Sequence, residues 1–175
     1  NTKSSLPSLN LLRQIMLSEL TILIVPMLFA LHIQAKDLDA KQFYIGGGLG
    51  YNDIGFDEAV GLQLFAGQPI PVKMGKARLL GEVGYMDSGN FDRNVGGFGT
   101  SSAKAQGIWA NAVIEIPAGE KINLLARAGL DFGDDDGLMI GGGIGIPAGN
   151  QMDIRFEYVV RENIDSLQAN LVIRL

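Results

Sequence analysis

From residue 42 to the end of the chain, apolar and polar residues alternate with a period of two. That is the spacing at which successive side chains of a β-strand point to opposite faces. Met152, Ile154, Phe156, Tyr158 and Val160 share one face, and Asp153, Arg155, Glu157 and Arg161 the other. Leu167, Ala169, Leu171, Ile173 and Leu175 oppose Gln168, Asn170 and Arg174. The same alternation runs through 77–86, 106–116 and 122–132, and the Gly-rich segments 42–52, 58–68 and 137–146 complete the set. The pattern predicts eight strands of about ten residues, the length that crosses a bilayer at a tilt.

The turns carry a repeat. Ile116-Pro117-Ala118-Gly119 recurs as Ile146-Pro147-Ala148-Gly149, with a looser version at Pro69-Ile70-Pro71. Proline cannot donate to a strand ladder, so these breaks predict strand ends after strands two, four and six. The other connections are polar, and one is predicted as a long loop from Asp87 to about Ser102. Short turns at one end and longer loops at the other match a transmembrane barrel, with both ends of an even-stranded barrel on the short-turn, periplasmic side.

The fold class expected is therefore all-β, an eight-stranded antiparallel up-and-down transmembrane barrel. Its polar face would hold Arg78, Glu82, Glu115, Arg127, Asp131, Asp153, Arg155, Glu157 and Arg174, four arginines against five carboxylates. In lipid, strands survive only in a closed barrel that pairs every backbone group. Eight strands enclose a bore just wide enough for side chains to fill, and a buried charge without a partner costs several kcal/mol. The pattern predicts a lumen ion-pair network of Glu82, Glu115, Arg127, Asp131, Asp153, Arg155 and Glu157. It centres on Glu82, Arg127 and Glu157, with Arg155 and Glu115 nearer the periplasmic end. Gly46, Gly48, Gly84, Gly129, Gly141 and Gly143 would make room for the long side chains. Tyr44 and Trp109 fall on the inward face, so each either fills the lumen or marks a strand slipped by one residue. Such a network plugs the bore and suits a role in membrane structure or surface interaction. The alternatives are a narrow channel for small solutes or ions, and a secreted soluble barrel with an apolar, ligand-binding cavity.

Residues 1–35 break the pattern. Lys3 and Arg13 precede an apolar run, Leu20 to Ile33, interrupted by Pro26. The run has the length of a secretory h-region and is short for a membrane span. It predicts a signal-peptide helix over 1–35, cleaved after Ala35, ahead of a barrel domain at 36–175; the alternative is a retained anchor helix.

Composition agrees with a membrane barrel. Hydrophobic residues make up 47% and charged residues 19% of the 175, and 24 glycines argue against a helical fold. The net charge of −5 argues against nucleic-acid binding. There is no cysteine for disulfides, thiol catalysis or metal ligation, and the one histidine, His32, lies in the export segment. A mature chain without imidazole has no Ser–His chemistry, so no enzyme activity and no cofactor are expected. Asp134-Asp135-Asp136 is a weak metal candidate, able in principle to bind Ca²⁺ or bridge cations to lipopolysaccharide phosphates. It lacks the ligand spacing of an EF-hand and reads better as a solvated acidic loop. The outer loops as a whole are acidic, with Asp53, Asp57, Glu58, Asp87, Asp92, Glu162 and Asp165 against Arg93, Lys104 and Arg161. Gly46 to Gly50 lies inside a strand with no helix following, which excludes a nucleotide loop.

The opening strand, Phe43-Tyr44-Ile45-Gly46-Gly47-Gly48-Leu49-Gly50-Tyr51, resembles the first strand of small outer-membrane barrels of the OmpA-like and OmpX-like superfamily. Gly81-Glu82-Val83-Gly84-Tyr85 resembles their third strand, and the alternating end from Leu167 to Leu175 their C-terminal insertion signal, with Leu175 where the family usually has Phe. The resemblance covers about residues 40 to 175. It implies a cell outer-membrane location after export, and a lumen of arginine–carboxylate pairs. The partners it implies are outer-membrane lipid, lipopolysaccharide and the barrel-insertion machinery, for a chain expected to act as a monomer.

Overall fold

The computed structural model describes residues 42–94 and 100–175; the predicted export segment lies outside them. The described residues form a closed antiparallel barrel of eight strands in chain order. These are β1 (Tyr44–Asp53), β2 (Glu58–Met74), β3 (Ala77–Asn94), β4 (Thr100–Pro117), β5 (Asn123–Gly133), β6 (Gly137–Pro147), β7 (Met152–Val160) and β8 (Asp165–Arg174). Each strand pairs with its sequence neighbour, and β1 closes on β8 from Tyr44↔Arg174 to Asp53↔Asp165. Closure leaves no edge strand along the wall, which is the condition for strands in hydrocarbon.

The apolar face of every strand points outward. Leu124, Ile154 and Leu171 are 47, 38 and 40% exposed, whereas Arg127 and Glu157 are 4 and 1% exposed. A water-soluble barrel inverts this arrangement. Tyr51, Tyr85, Phe132, Phe156 and Tyr158 also lie on the outer wall. Tyr44 and Trp109 are buried in the lumen as fillers, with no slip in register. Val83, 54% exposed, lies on the lipid-facing wall midway along the barrel part of β3, between the pairs Arg78↔Glu115 and Asp87↔Gln106. Val83→Arg is expected to lower folding stability by about 2–4 kcal/mol, the cost of a charge near the bilayer midplane, measured by urea titration in lipid vesicles.

Two boundaries differ from the pattern. The described parts of the predicted loop from Asp87 to Ser102, residues 87–94 and 100–102, are instead the continuation of β3 and β4, paired from Asn90↔Lys104 to Asn94↔Thr100. The register shifts between Asp87 and Asn90, where Gly89 takes a φ of +78°. This ribbon extends past the last β2–β3 pair, Leu62↔Asp87, and the last β4–β5 pair, Gly107↔Gly133. Beyond the barrel wall there is no lipid to demand an apolar face, so hydrophobic alternation stops while the backbone ladder goes on. Likewise, Pro69 and Pro71 do not end β2. They lie within it: Pro71 falls where the β2–β3 register breaks between Ile70 and Met74, a place where a missing N–H costs no ladder bond, and Pro69, still partnered with Leu80, lies past the last β1–β2 pair, Tyr44↔Gly67. The chain turns four residues after Pro71 through Gly75 and Lys76. Gly75 has a φ of +66° at the first central position, the placement a type II′ hairpin needs.

Candidate functional site: the lumen

Glycine sets the shape of the bore. β1 and β6 present mostly glycines inward, and the long side chains of other strands lie over those bare walls. A Cβ at Gly46 would stand 2.3 Å from the Phe65 ring, at Gly67 2.5 Å from Tyr44, and at Gly84 2.5 Å from Trp109. A Cβ at Gly143 would stand 2.0 Å from the Phe156 carbonyl oxygen and 2.8 Å from Glu157 Cγ. Gly129 and Gly48 crowd Asn111 and Asn170 in the same way, and a Cβ at Gly141 would stand 3.1 Å from Arg127 Cγ.

The centre of the lumen is ionic. Arg127 donates from Nε and Nη2 to the two oxygens of Glu157, at 3.0 and 2.7 Å. This planar fork on a carboxylate is the strongest geometry such a pair adopts. Arg127 Nη2 also stands 3.5 Å from Glu82 Oε2. The other oxygen, Oε1, accepts from Arg155 Nη1 at 2.5 Å and from the Tyr44 hydroxyl at 2.8 Å. The Arg155 guanidinium lies 5.3 Å from the Tyr44 ring centre, and that of Arg127 5.8 Å from the ring of Trp109. Glu82, Arg127, Arg155 and Glu157 thus form one continuous layer, all but removed from solvent.

The remaining members of the predicted network stand apart from this layer. Glu115 pairs with Arg78, and Asp153 with Arg174, at the end where β1 begins and β8 finishes. Asp131 pairs with Arg161 at the opposite end, at 2.7 Å. Arg161 is a correction: placed among the outer-loop cations by sequence, it is buried in the mouth of the lumen. Burial pushes its guanidinium pKa down, while the Asp131 charge pulls it back up. Two signals pointed there. Arg161 continues the i, i+2 face of Asp153, Arg155 and Glu157, and an inward count of four arginines against five carboxylates lacked one cation. With Arg161 the ion-paired lumen residues hold five arginines and five carboxylates.

Uncharged polar groups form a second feature, which the charge-centred sequence analysis missed. Gln63 Nε2 donates to Gln168 Oε1 and Asn170 Oδ1, at 2.7 and 2.8 Å. Gln168 Nε2 donates to Ser166 Oγ, which donates to Asn52 Oδ1 at 2.7 Å, and Asn52 Nδ2 donates to the Ser88 carbonyl at 2.8 Å. The chain links β8, β2, β1 and β3 along one wall. Among the ion pairs of the facing strands, Trp109, Val113, Met139 and Val159 are fully buried apolar fillers; Trp109 lies 5.8 Å from Phe65, centre to centre. A void of only about 10 Å³ remains beside Arg161, Gln63 and Gln168.

The acidic loop is exposed at Asp134 and Asp136, as expected, and differs at one residue. Asp135 is buried rather than solvated, and its Oδ1 accepts from the backbone N and Nδ2 of Asn163, at 3.0 and 2.8 Å. Asp134 accepts from the backbone N of Gln106 at 3.0 Å, and Asp136 is exposed. Among the described residues, no group of three or more His, Cys, Asp or Glu side chains is placed to hold a metal ion. Asp87, assigned to the acidic rim, meets Lys104 at 2.7 Å.

No curated protein matches the sequence. Among solved structures, a de novo designed transmembrane β-barrel shares 11% identity and a TM-score of 0.53, over 79% of this chain and 98% of that one. The solution structure of the designed barrel TMB2.3 gives 14% and 0.52, over 77% and 94%. Ail, the attachment invasion locus protein of Yersinia pestis, gives 11% and 0.47, over 75% and 94%. At these identities the likeness to the two designed barrels is one of fold, a transmembrane strand barrel. The family model for the outer membrane protein beta-barrel domain matches residues 21–171. With an apolar wall, an ionic interior and that match over most of its length, the chain belongs to the outer membrane protein beta-barrel domain family.

Proposed function

We propose that the chain is a non-conducting, non-catalytic barrel of the bacterial outer membrane that serves membrane structure or surface interaction. The observation that carries this reading is the central layer of Glu82, Arg127, Arg155 and Glu157. Its two arginines and two carboxylates are ion-paired across the lumen and almost wholly buried, which supports a closed bore. The buried carboxylates of that layer are engaged by arginine, and among the described residues there is no imidazole to act as a base. The protein would reach the membrane by export behind the segment 1–35 and be inserted by the barrel-insertion machinery. It would stand there as a monomer among lipid and lipopolysaccharide. The β2–β3, β4–β5 and β6–β7 turns and both barrel termini would face the periplasm, and the β3–β4 ribbon would project outward. The test is conductance in planar bilayers. The plugged lumen predicts no steady openings for the folded protein at physiological salt; regular single-channel steps that persist when the outer loops are neutralised would replace this reading with a channel.

A further inference from the structure

At the end of the barrel where the strands begin and finish, the lumen opens into a cavity of about 240 Å³. The ion pairs Arg78–Glu115 and Arg174–Asp153 both line it, the first carried by β3 and β4, the second by β7 and β8. In both pairs the carboxylate is the buried member. The arginine side chains are 49 and 36% exposed, against 6 and 7% for their partners. Each guanidinium meets its carboxylate through Nη2, one nitrogen of a group that carries five N–H donors. Deeper in the cavity stand Arg155, already held by Glu82, and the apolar surfaces of Tyr44, Leu80 and Val172.

Each ion pair is neutral overall, so an anion here would be held by the N–H donors that the two exposed arginines do not spend on their carboxylates, in a concave site that limits competition from water. The volume is below that of a drug-sized pocket and suits a body of a few carbon atoms. We propose that this vestibule binds a small organic anion, a phosphate monoester or carboxylate. Its charged group is shared by Arg78 and Arg174, and its carbon body rests against Leu80, Val172 and the Tyr44 ring. The site is separate from the central plug and would exist whether or not the bore conducts.

The probe is glycerol 3-phosphate, titrated calorimetrically into the folded full chain in detergent micelles, with glycerol and inorganic phosphate as comparisons. Saturable binding is expected, absent with glycerol and weaker with inorganic phosphate. R78Q and R174Q should each weaken it about tenfold, the loss of one charge-assisted contact, whereas Lys104→Gln in the outer ribbon should not. No saturable binding, or undiminished binding by R78Q/R174Q, would overturn the site. Equal affinity for inorganic phosphate would overturn the role of the apolar surfaces. A second measurement needs no variant. Phenylglyoxal should modify Arg78 and Arg174 ahead of the buried arginines, and glycerol 3-phosphate should protect them; modification at an unchanged rate counts against the proposal.

Discussion

Glu82→Ala is expected to lower the stability of the folded barrel by about 3–5 kcal/mol, the cost of breaking a buried ion pair from one side. Glu82 is the hub of the central layer, in contact with Arg155, the Tyr44 hydroxyl and Arg127. Its removal leaves the Arg155 guanidinium inside the lumen with no direct carboxylate partner. The measurement is a urea midpoint in lipid vesicles, with heat-modifiable migration on a gel reporting the folded fraction. The double variant Glu82→Met/Arg155→Met removes both charges and should recover most of the loss, since apolar replacement of a whole buried pair is often neutral. Equal stability of Glu82→Ala and the unsubstituted protein would show that water already reaches this layer.

Trp109→Ala is expected to cost about 3–5 kcal/mol through the cavity it leaves. The indole is fully buried, fills the space over Gly84, and lies within 6 Å of both Phe65 and Arg127 by ring centres. Unlike the loss of Glu82, this one is not recovered by removing a charge elsewhere. Gly84→Leu alone cannot refill the space, because a Cβ at that position also stands 2.8 Å from the Leu64 carbonyl oxygen. If Trp109→Ala melts within about 1 kcal/mol of the unsubstituted protein, the upper lumen is looser than close packing implies.

The wall of the barrel was legible in the sequence because lipid enforces it. Every residue facing hydrocarbon must be apolar, so Met152 to Val160 and Leu167 to Leu175 declare strand, face and orientation at once. Where lipid ends, that rule ends too, and the outer halves of β3 and β4 read as a loop although their ladder continues. Pro69 and Pro71 misled for a related reason: proline marks a lost donor, and a register break inside a strand (Pro71) or the stretch past a neighbour's last pair (Pro69) tolerates that as readily as a turn does. Inside the lumen, parity showed which residues enter but not which ones meet. Glu115 and Asp153 turned to Arg78 and Arg174, each carried by an adjacent strand, while Glu82 drew Arg155 from across the bore. Partner choice depends on height along the barrel axis, which alternation does not encode. The chain of Gln63, Gln168, Ser166 and Asn52 escaped notice because neutral amides and hydroxyls are as common in loops as in a dry interior.

The seam between β1 and β8 joins the first and last strands of the ladder. Before it zips, every strand between them can hydrogen-bond in sequence order, but the interior is still an open trough bathed by solvent. Contacts between distant parts of a chain form only after their loop entropy has been met. Arg127, Glu157, Arg155 and Glu82 are then expected to shed their hydration together as the seam closes. The rate of assembly should follow how easily that trough dries, more than how fast any hairpin forms.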